Sequence, residues 1–218
     1  MKSFTGILSA ISLIALFAST ASAQLIVREY NFETDTEGWT TAGSDPYADF
    51  GQQTATGGTE GVLFGVQASG NDPQLSLPPD AQSVSLPAGY TWDTAVFRLR
   101  HLESDGEGGW NPVAFTNNIG MVFVKQGDNI RADDSRWVET VDPDDSTWTI
   151  VTLDISDRGD LATTFNRFDP TGTADHIGLA FELDYAQFTA VPEPSIYAAI
   201  FGVLALGGVL IRRRLIKS

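Results

Sequence analysis

The sequence predicts an all-β fold, an antiparallel β-sandwich of two sheets. Short runs rich in β-branched and aromatic residues are separated, about every eight to twelve residues, by clusters of Gly, Pro, Asp, Asn, Ser and Thr, a spacing typical of strands joined by turns. Several runs alternate: in Phe97–Arg100 the arginines fall on one face, and Phe97 and Leu99 fall on the other. Helical segments do not alternate with these runs, so a parallel sheet of βαβ units is disfavoured.

The runs that predict strands lie within one domain, residues 24–190, which is long enough to bury a hydrophobic core. No internal repeat is visible in this domain. The predicted strands are Leu25–Phe32, Gly61–Gln67, Gln82–Leu86, Ala95–His101, Ile119–Lys125, Trp137–Thr140, Thr147–Asp154, Asn166–Phe168 and Ile177–Phe188.

The composition narrows the classes of function. The chain has no cysteine, which excludes disulfides, thiol chemistry and cysteine-ligated metals. Residues 24–190 hold 27 acidic against 8 basic residues, a net charge of −19. Because phosphate contacts need a basic surface, nucleic-acid binding is disfavoured. An acidic domain of this kind suits solubility outside the cell and the binding of calcium.

Residues 1–23 predict a secretory signal peptide. Lys2 supplies the positive charge, Phe4–Phe17 the apolar core, and Ala21–Ala23 a small-x-small cleavage site. Because these features occur in the required order, a buried amino-terminal helix is a weaker interpretation. We therefore expect an exported protein whose mature chain begins at Gln24.

Residues 191–218 predict a second targeting segment. Val191–Ser195 is a short proline-rich motif, Ile196–Ile211 is apolar and uncharged, and Arg212–Arg214 open a basic tail that runs over residues 212–218. As a helix the apolar stretch would extend about 24 Å, against a hydrocarbon core of about 30 Å. We predict a single transmembrane helix over 196–211 with the arginines on the cytoplasmic side.

This segment resembles the PEP-CTERM sorting signal of Gram-negative bacteria. The matching residues are Pro192, Glu193, Pro194, Arg212, Arg213 and Arg214. The resemblance implies processing by an exosortase-type enzyme and transient anchoring in the inner membrane with the domain on the periplasmic side. It also implies delivery to the cell surface or to an extracellular matrix that contains exopolysaccharide. An ordinary single-span anchor with a proline-rich linker is the alternative.

The domain resembles jelly-roll carbohydrate-binding modules and galactose-binding-like domains. Asn31–Trp39 matches their opening pattern F-E-x-x-x-x-G-W, and Trp148–Ser156, Phe168–Pro170 and Phe181–Phe188 match their closing strands. The resemblance implies a jelly-roll topology for the sandwich. Its motifs determine the fold and do not specify a ligand.

The same resemblance implies a structural Ca²⁺ that joins the first strand to the last. Its ligands would be Glu33, Asp35 and Asp184, because calcium takes carboxylate oxygens from chain segments that the fold brings together. The alternative is that Glu33 and Asp35 are surface acids and that Asp184 is an ordinary edge-strand residue.

Aromatic residues are the candidates for contact with sugars, because the apolar face of a pyranose ring packs on an exposed aromatic ring. The candidates are Trp92, Trp110, Trp137, Tyr47 and Tyr90. The alternative for each tryptophan, Trp110 included, is that it fills the core or caps its end. For Trp39 and Trp148 we expect this burial.

Trp110 is the first candidate. It lies in Gly106–Pro112, a loop so rich in glycine that packing does not require a tryptophan there, with Glu107 and Asn111 beside it. Trp137 is the second. The predicted glycan contacts are therefore Trp110, Asn111, Glu107 and Trp137.

The sequence gives no positive sign of catalysis. Glu103, Asp105 and Glu107 share one loop, where acids rarely take the facing positions of a glycosidase pair, so we expect a solvated loop. Asp142–Asp145 lacks the glycine and the glutamate of an EF-hand loop, and we expect a solvated turn.

The two histidines, His101 and His176, are expected at the surface near strand ends. We expect an exported, non-catalytic sandwich that contacts polysaccharide. A structural or self-associating matrix protein is the alternative, and a polysaccharide hydrolase is a remote one. The exposure of Trp110 and Trp137 distinguishes the first two.

Overall fold

The computed structural model describes residues 24–42, 47–68, 74–78, 85–114, 120–125, 128–132, 137–156, 164–171 and 177–217. The predicted signal peptide, residues 1–23, lies outside this set. The described residues form two antiparallel sheets and one carboxy-terminal helix. The expected antiparallel β-sandwich is therefore confirmed.

The strands are short except for two long central ones, β6 and β13. Their bounds are β1 Leu25–Tyr30, β2 Thr40–Ala42, β3 Ala48–Thr54, β4 Gly61–Val66, β5 Gln74–Ser76, β6 Tyr90–Ser104, β7 Trp110–Val113, β8 Gly120–Lys125, β9 Asp128–Ala132, β10 Trp137–Val141, β11 Thr149–Asp154, β12 Thr164–Asp169 and β13 Ala180–Pro192. The helix, α1, is Pro194–Lys217.

Sheet A has eight strands in the described part of the chain. Its order is β10-β11-β6-β13-β4-β3, with β1 added to β13 and β7 added to β6. Sheet B has five strands in the order β2-β5-β12-β8-β9. The recorded strand pairs are antiparallel, as the absence of helical crossovers in the sequence predicts.

The core lies between the two sheets. Phe97 of β6 stacks on Phe168 of β12, with ring centroids 4.6 Å apart and ring planes 14° apart. Trp39 approaches Phe168 and Phe32 edge-on, with centroids 6.3 and 5.7 Å away. Phe97 and Leu99 are fully buried, as the alternation predicts, so Arg98 and Arg100 lie on the outer face of sheet A.

Strand β6 shares one of its edges between two partners, and this positions the site described below. Residues 94–99 pair with β11, ending at Leu99 opposite Thr149. Residues 101–104 pair with β7, starting at His101 opposite Val113. Because β11 stops where β7 starts, the sheet opens along this edge beside Arg100.

The carboxy-terminal segment forms a helix, but the predicted membrane span is not supported. No helix within the described ranges is long and apolar enough to cross a membrane. The helix α1 extends beyond the apolar stretch 196–211 and continues through Arg212–Arg214 to Lys217. Arginine and lysine are good helix formers, so the basic tail does not stop the helix.

Candidate functional site

A glycine-rich turn leads into β7 and is held in shape by one carboxylate. Asp105 Oδ1 accepts hydrogen bonds from the backbone N–H groups of Glu107 and Gly109, both at 2.8 Å. These bonds lower the pKa of Asp105 below its ordinary value. Gly106 and Gly108 take φ values of 78° and 96°, a region that other residues rarely adopt. The turn thus presents Glu107 at its exposed tip.

Trp110 is the first residue of β7 and pairs with Ser104 across the sheet. Its ring meets Phe64 at 5.6 Å between centroids with an interplanar angle of 63°, and it packs against the cluster of Phe64, Leu102 and Ala180. Trp110 therefore contributes to packing, which is the alternative that the sequence left open for it. Part of its surface stays exposed, so Trp110 is an anchored aromatic side chain with a solvent-facing part.

The other described tryptophans cannot contact a ligand. Trp39, Trp92 and Trp148 are at most 1% exposed, which confirms the expectation for Trp39 and Trp148 and corrects it for Trp92. Tyr47 is also buried, with its hydroxyl 2.9 Å from Thr171 Oγ1. Of the remaining candidates, Tyr90 is half-buried, and the side chain of Trp137 lies outside the described part.

A cleft of about 510 Å³ opens where β7 and β11 part along β6. One wall is the end of β7, Pro112–Ala114, and the other is Glu139–Val141 of β10. Three hydroxyl-bearing residues close its end, and they are Ser146, Thr147 and Thr149. We call this the hydroxyl cleft. No sequence pattern marked it, because its residues come from three separate segments.

A cluster of charged and aromatic side chains, which we call the arginine cluster, covers the centre of the outer face of sheet A. The cluster consists of Arg98, Arg100, Asp142, Trp148, Glu182 and Asp184. The guanidinium carbons of Arg98 and Arg100 lie 4.4 and 4.3 Å from the centroid of the Trp148 ring, within the range of cation–π attraction.

Arg100 holds two loops against the outer face of sheet A. Its Nη2 lies 2.6 Å from Glu182 Oε2 and donates to the Thr56 carbonyl at 2.6 Å, and its Nη1 donates to Thr147 Oγ1 at 3.1 Å. Glu182 also accepts from the Thr56 N–H and hydroxyl, at 2.8 and 2.7 Å. The loops that carry Thr56 and Thr147 are therefore held against the outer face of sheet A.

Arg98 lies between two carboxylates, Asp142 at 2.5 Å and Asp184 at 2.8 Å. Burial acts to raise the pKa of Asp142, but the N–H of Asp144 and the guanidinium of Arg98 outweigh it, so this pKa is below its ordinary value. For Asp184 burial outweighs the effect of Arg98, and its pKa is raised. The expectation that Asp142–Asp145 is merely a solvated turn is therefore wrong for Asp142, which is buried.

The residues expected to bind calcium have other partners. Asp35 Oδ1 accepts from the Glu37 N–H at 2.6 Å, Glu33 Oε2 accepts from the Gly61 N–H at 3.3 Å, and Asp184 pairs with Arg98. Within the described ranges, no group of three or more His, Asp or Glu residues could hold a metal ion. The calcium site is thus not supported by this geometry, and it stays a prediction.

The predicted sorting motif joins the sandwich to the helix. Pro192 is the last residue of β13 and pairs with Tyr90, and the Glu193 N–H donates to the Gly89 carbonyl at 2.8 Å. Pro194 begins α1, a position that suits proline because the first helical N–H needs no partner. Arg212 and Arg213 are exposed on α1, and the side chain of Arg214 is not described.

His101 does not lie at the surface as expected. It is 1% exposed, and its Nε2 lies 2.8 Å from the Pro170 carbonyl oxygen. His176 lies outside the described residues. The acids Glu103 and Glu107 are exposed, and Asn111 pairs with Glu103 across β6 and β7. The loop is therefore solvated, as predicted.

Comparisons with known proteins give limited information. No family model and no curated protein matches the chain. Among solved structures, the chain is similar to the CBM22-1 xylan-binding domain of Xyn10C from Paenibacillus barcinonensis. The two share 16% identity at a TM-score of 0.35, over 79% of this chain and 99% of that one. A TM-score this low assigns neither a family nor a ligand to the present chain.

Proposed function

We propose that this chain is an exported, non-catalytic β-sandwich that contacts polysaccharide through β7 and the turn before it. The observation that supports this most is the position of Trp110. Three other tryptophans are buried, whereas Trp110 is fixed against Phe64 and stays partly exposed. A fixed, partly exposed aromatic ring is suited to stacking on the apolar face of a sugar.

Exposed polar side chains lie in the segment that carries Trp110. Glu107, in the turn before β7, can bond sugar hydroxyls beside Trp110, whereas Asn111, the next residue on the strand, is exposed on the opposite face of the sheet. The bonds of Asp105 keep the turn in one conformation, so little ordering is needed on binding. The arginine cluster covers the centre of the outer face of sheet A, and β7 lies at the edge of this sheet, paired with β6.

A glycan array followed by affinity electrophoresis tests this proposal with the full chain. We expect Trp110→Ala to lower the affinity for a bound glycan at least about tenfold, because the loss of a stacked aromatic ring removes a major contact. Ile26→Ala is a matched control, since Ile26 is half-exposed on β1, away from β7. If Trp110→Ala binds every glycan as the parent does, the assignment is wrong.

A structural, self-associating matrix component is the second candidate. In the described part of sheet A, β10 is an edge strand, and its Val138 and Val141 are 61% and 64% exposed. An edge with exposed valines can pair with another chain. Concentration-dependent association that Val138→Lys abolishes, together with no glycan binding, would favour this candidate.

The sequence supports a route to the cell exterior as part of the proposal. The signal-peptide pattern and the PEP-CTERM resemblance together suggest export and exosortase-type processing at Pro192, Glu193 and Pro194. In that setting the sandwich would be the cargo, at the cell surface or in the matrix.

A further inference from the structure

We propose that the hydroxyl cleft is a second binding subsite, and that it takes a segment of a neutral rather than an acidic polysaccharide. This inference rests on the proposed function, because it assigns a class of glycan to a surface that continues from Trp110. The cleft has a volume of about 510 Å³ and lies between β7 and β10.

The lining has the chemistry that a neutral sugar chain requires. Thr140, Ser146 and Thr149 each contribute a hydroxyl, which both donates and accepts hydrogen bonds. No described residue bonds these three side-chain hydroxyls. Pro112 and Val141 add apolar surface for the C–H faces of a sugar ring, and Val141 is 64% exposed.

The charges around the cleft disfavour an acidic ligand. Among the described residues that line the cleft there is no Lys, Arg or His, and Glu139 is the one acidic residue. Arg100, which donates to the cleft residue Thr147, is 4% exposed and is paired with Glu182 at 2.6 Å. A uronate or a sulfate would thus find no free cation among the described lining residues, and the chain's net charge of −15 would disfavour its approach.

The cleft and Trp110 form one continuous strip along β7. Trp110 and Pro112 lie two residues apart on the same strand, so they share one face and are separated by about 7 Å. Pro112 belongs to the cleft wall. A linear glycan that stacks on Trp110 can therefore continue over Pro112 towards Thr140 and Ser146.

The test uses the full chain on an array of neutral and uronic-acid oligosaccharides of increasing length. We expect binding to neutral oligosaccharides, with affinity that rises with length, and little binding to uronates. The double variant Thr140→Val/Ser146→Ala should lose about three- to tenfold in affinity for the longest neutral ligand, because it removes two hydroxyl partners. Both positions are exposed, so the fold should tolerate the changes.

Thr54→Val is the matched control, since Thr54 is an exposed threonine at the opposite edge of the same sheet. Binding to uronates alone would overturn this inference and leave the proposed function intact. So would an affinity that falls with Trp110→Ala and not with the double variant. Binding to no glycan at all would overturn both.

Discussion

Arg100 and Glu182 form a charged pair that is almost completely withdrawn from water. They are 4% and 0% exposed, and the polar atoms of both are bonded by Thr56 as well as by each other. A pair of this kind is costly to break, because the remaining charge has no partner and little solvent. Its local effect is to fix the loops that carry Thr56 and Thr147.

Glu182→Gln should therefore lower the free energy of unfolding by about 3–5 kcal/mol, because Arg100 would lose its counter-charge in a buried position. Urea unfolding followed by circular dichroism measures this value. Glu103 is exposed on the same strand as Arg100, so Glu103→Gln should change the free energy of unfolding by less than about 0.5 kcal/mol. A similar, small effect for both variants would show that the buried pair does not stabilise the fold.

The stability of the fold depends on pH through the carboxyl group of Asp142. Its pKa is below the ordinary value of 3.8, so its charged form is favoured in the folded state. The stability it contributes is present above the pKa of the unfolded chain and is lost as the pH falls through the lower pKa of the folded chain. Asp184, with its raised pKa, acts in the opposite direction.

Asp142→Asn should therefore destabilise the protein by about 1–3 kcal/mol at neutral pH, because a bonded carboxylate is replaced by a neutral amide. The difference from the parent should shrink as the pH falls below 3.8. Asp184 titrates in both proteins, so its contribution cancels to a first approximation. Asp144→Asn, an exposed position on the same turn, is the control. If the stability difference between Asp142→Asn and the parent grows as the pH falls, Asp142 is not the charged, stabilising group described here.

Among the strands, β7 shows what sequence patterns could not reveal. Its four residues contain Pro112, which argues against a strand, yet proline is tolerated because β6 is the single partner of β7 among the described strands. The long β6 was predicted in its middle, since Phe97 and Leu99 alternate with arginines. Strand β3 was missed because Gly51 and its glutamines have low strand propensity, and it forms by pairing with β4.

The entry of the chain into β4 depends on a close backbone contact. A Cβ atom added to Gly61 would lie 2.5 Å from the Phe32 carbonyl oxygen and 2.6 Å from Glu33 Cα. Both are backbone atoms, and Phe32 already takes a φ of 53°, so little can move there. This contact holds the turn after β1 against β4.

Gly61→Ala should destabilise the fold by about 1–3 kcal/mol, because the added methyl group cannot be accommodated. Thermal unfolding is a suitable measurement. Gly51→Ala is the comparison, since a Cβ atom there meets nothing within 4 Å and should leave the melting temperature nearly unchanged. Equal melting temperatures for the two variants would mean that the turn adjusts to the extra atom.

For the whole molecule, composition and alternation were sufficient to predict an acidic two-sheet sandwich, because a two-residue period decides which face of a strand is buried. They predicted Trp110 but could not locate the rest of the proposed binding strip. Trp110, Thr140 and Ser146 lie on separate segments, and their proximity depends on how β6 shares its edge. The buried state of His101 was also missed, since its partner, the Pro170 carbonyl, is distant in sequence.

The predicted calcium ion would affect the molecule as a whole by joining the first and last strands. If it binds, removal with EDTA should lower the melting temperature by several degrees, because a ligand that binds only the folded state stabilises it. Glu33→Gln should then reduce the effect of EDTA. No shift with EDTA would exclude the site and agree with the pairing of Asp184 with Arg98.

The proposed contact of Trp110 with glycan is most directly tested by NMR of the indole N–H signals during a titration with a neutral oligosaccharide. The chain has 5 tryptophans, and Trp110→Phe identifies the signal of Trp110. We predict that this signal shifts more than those of the buried Trp39, Trp92 and Trp148. A titration in which the Trp110 signal stays fixed while the oligosaccharide binds would contradict the account.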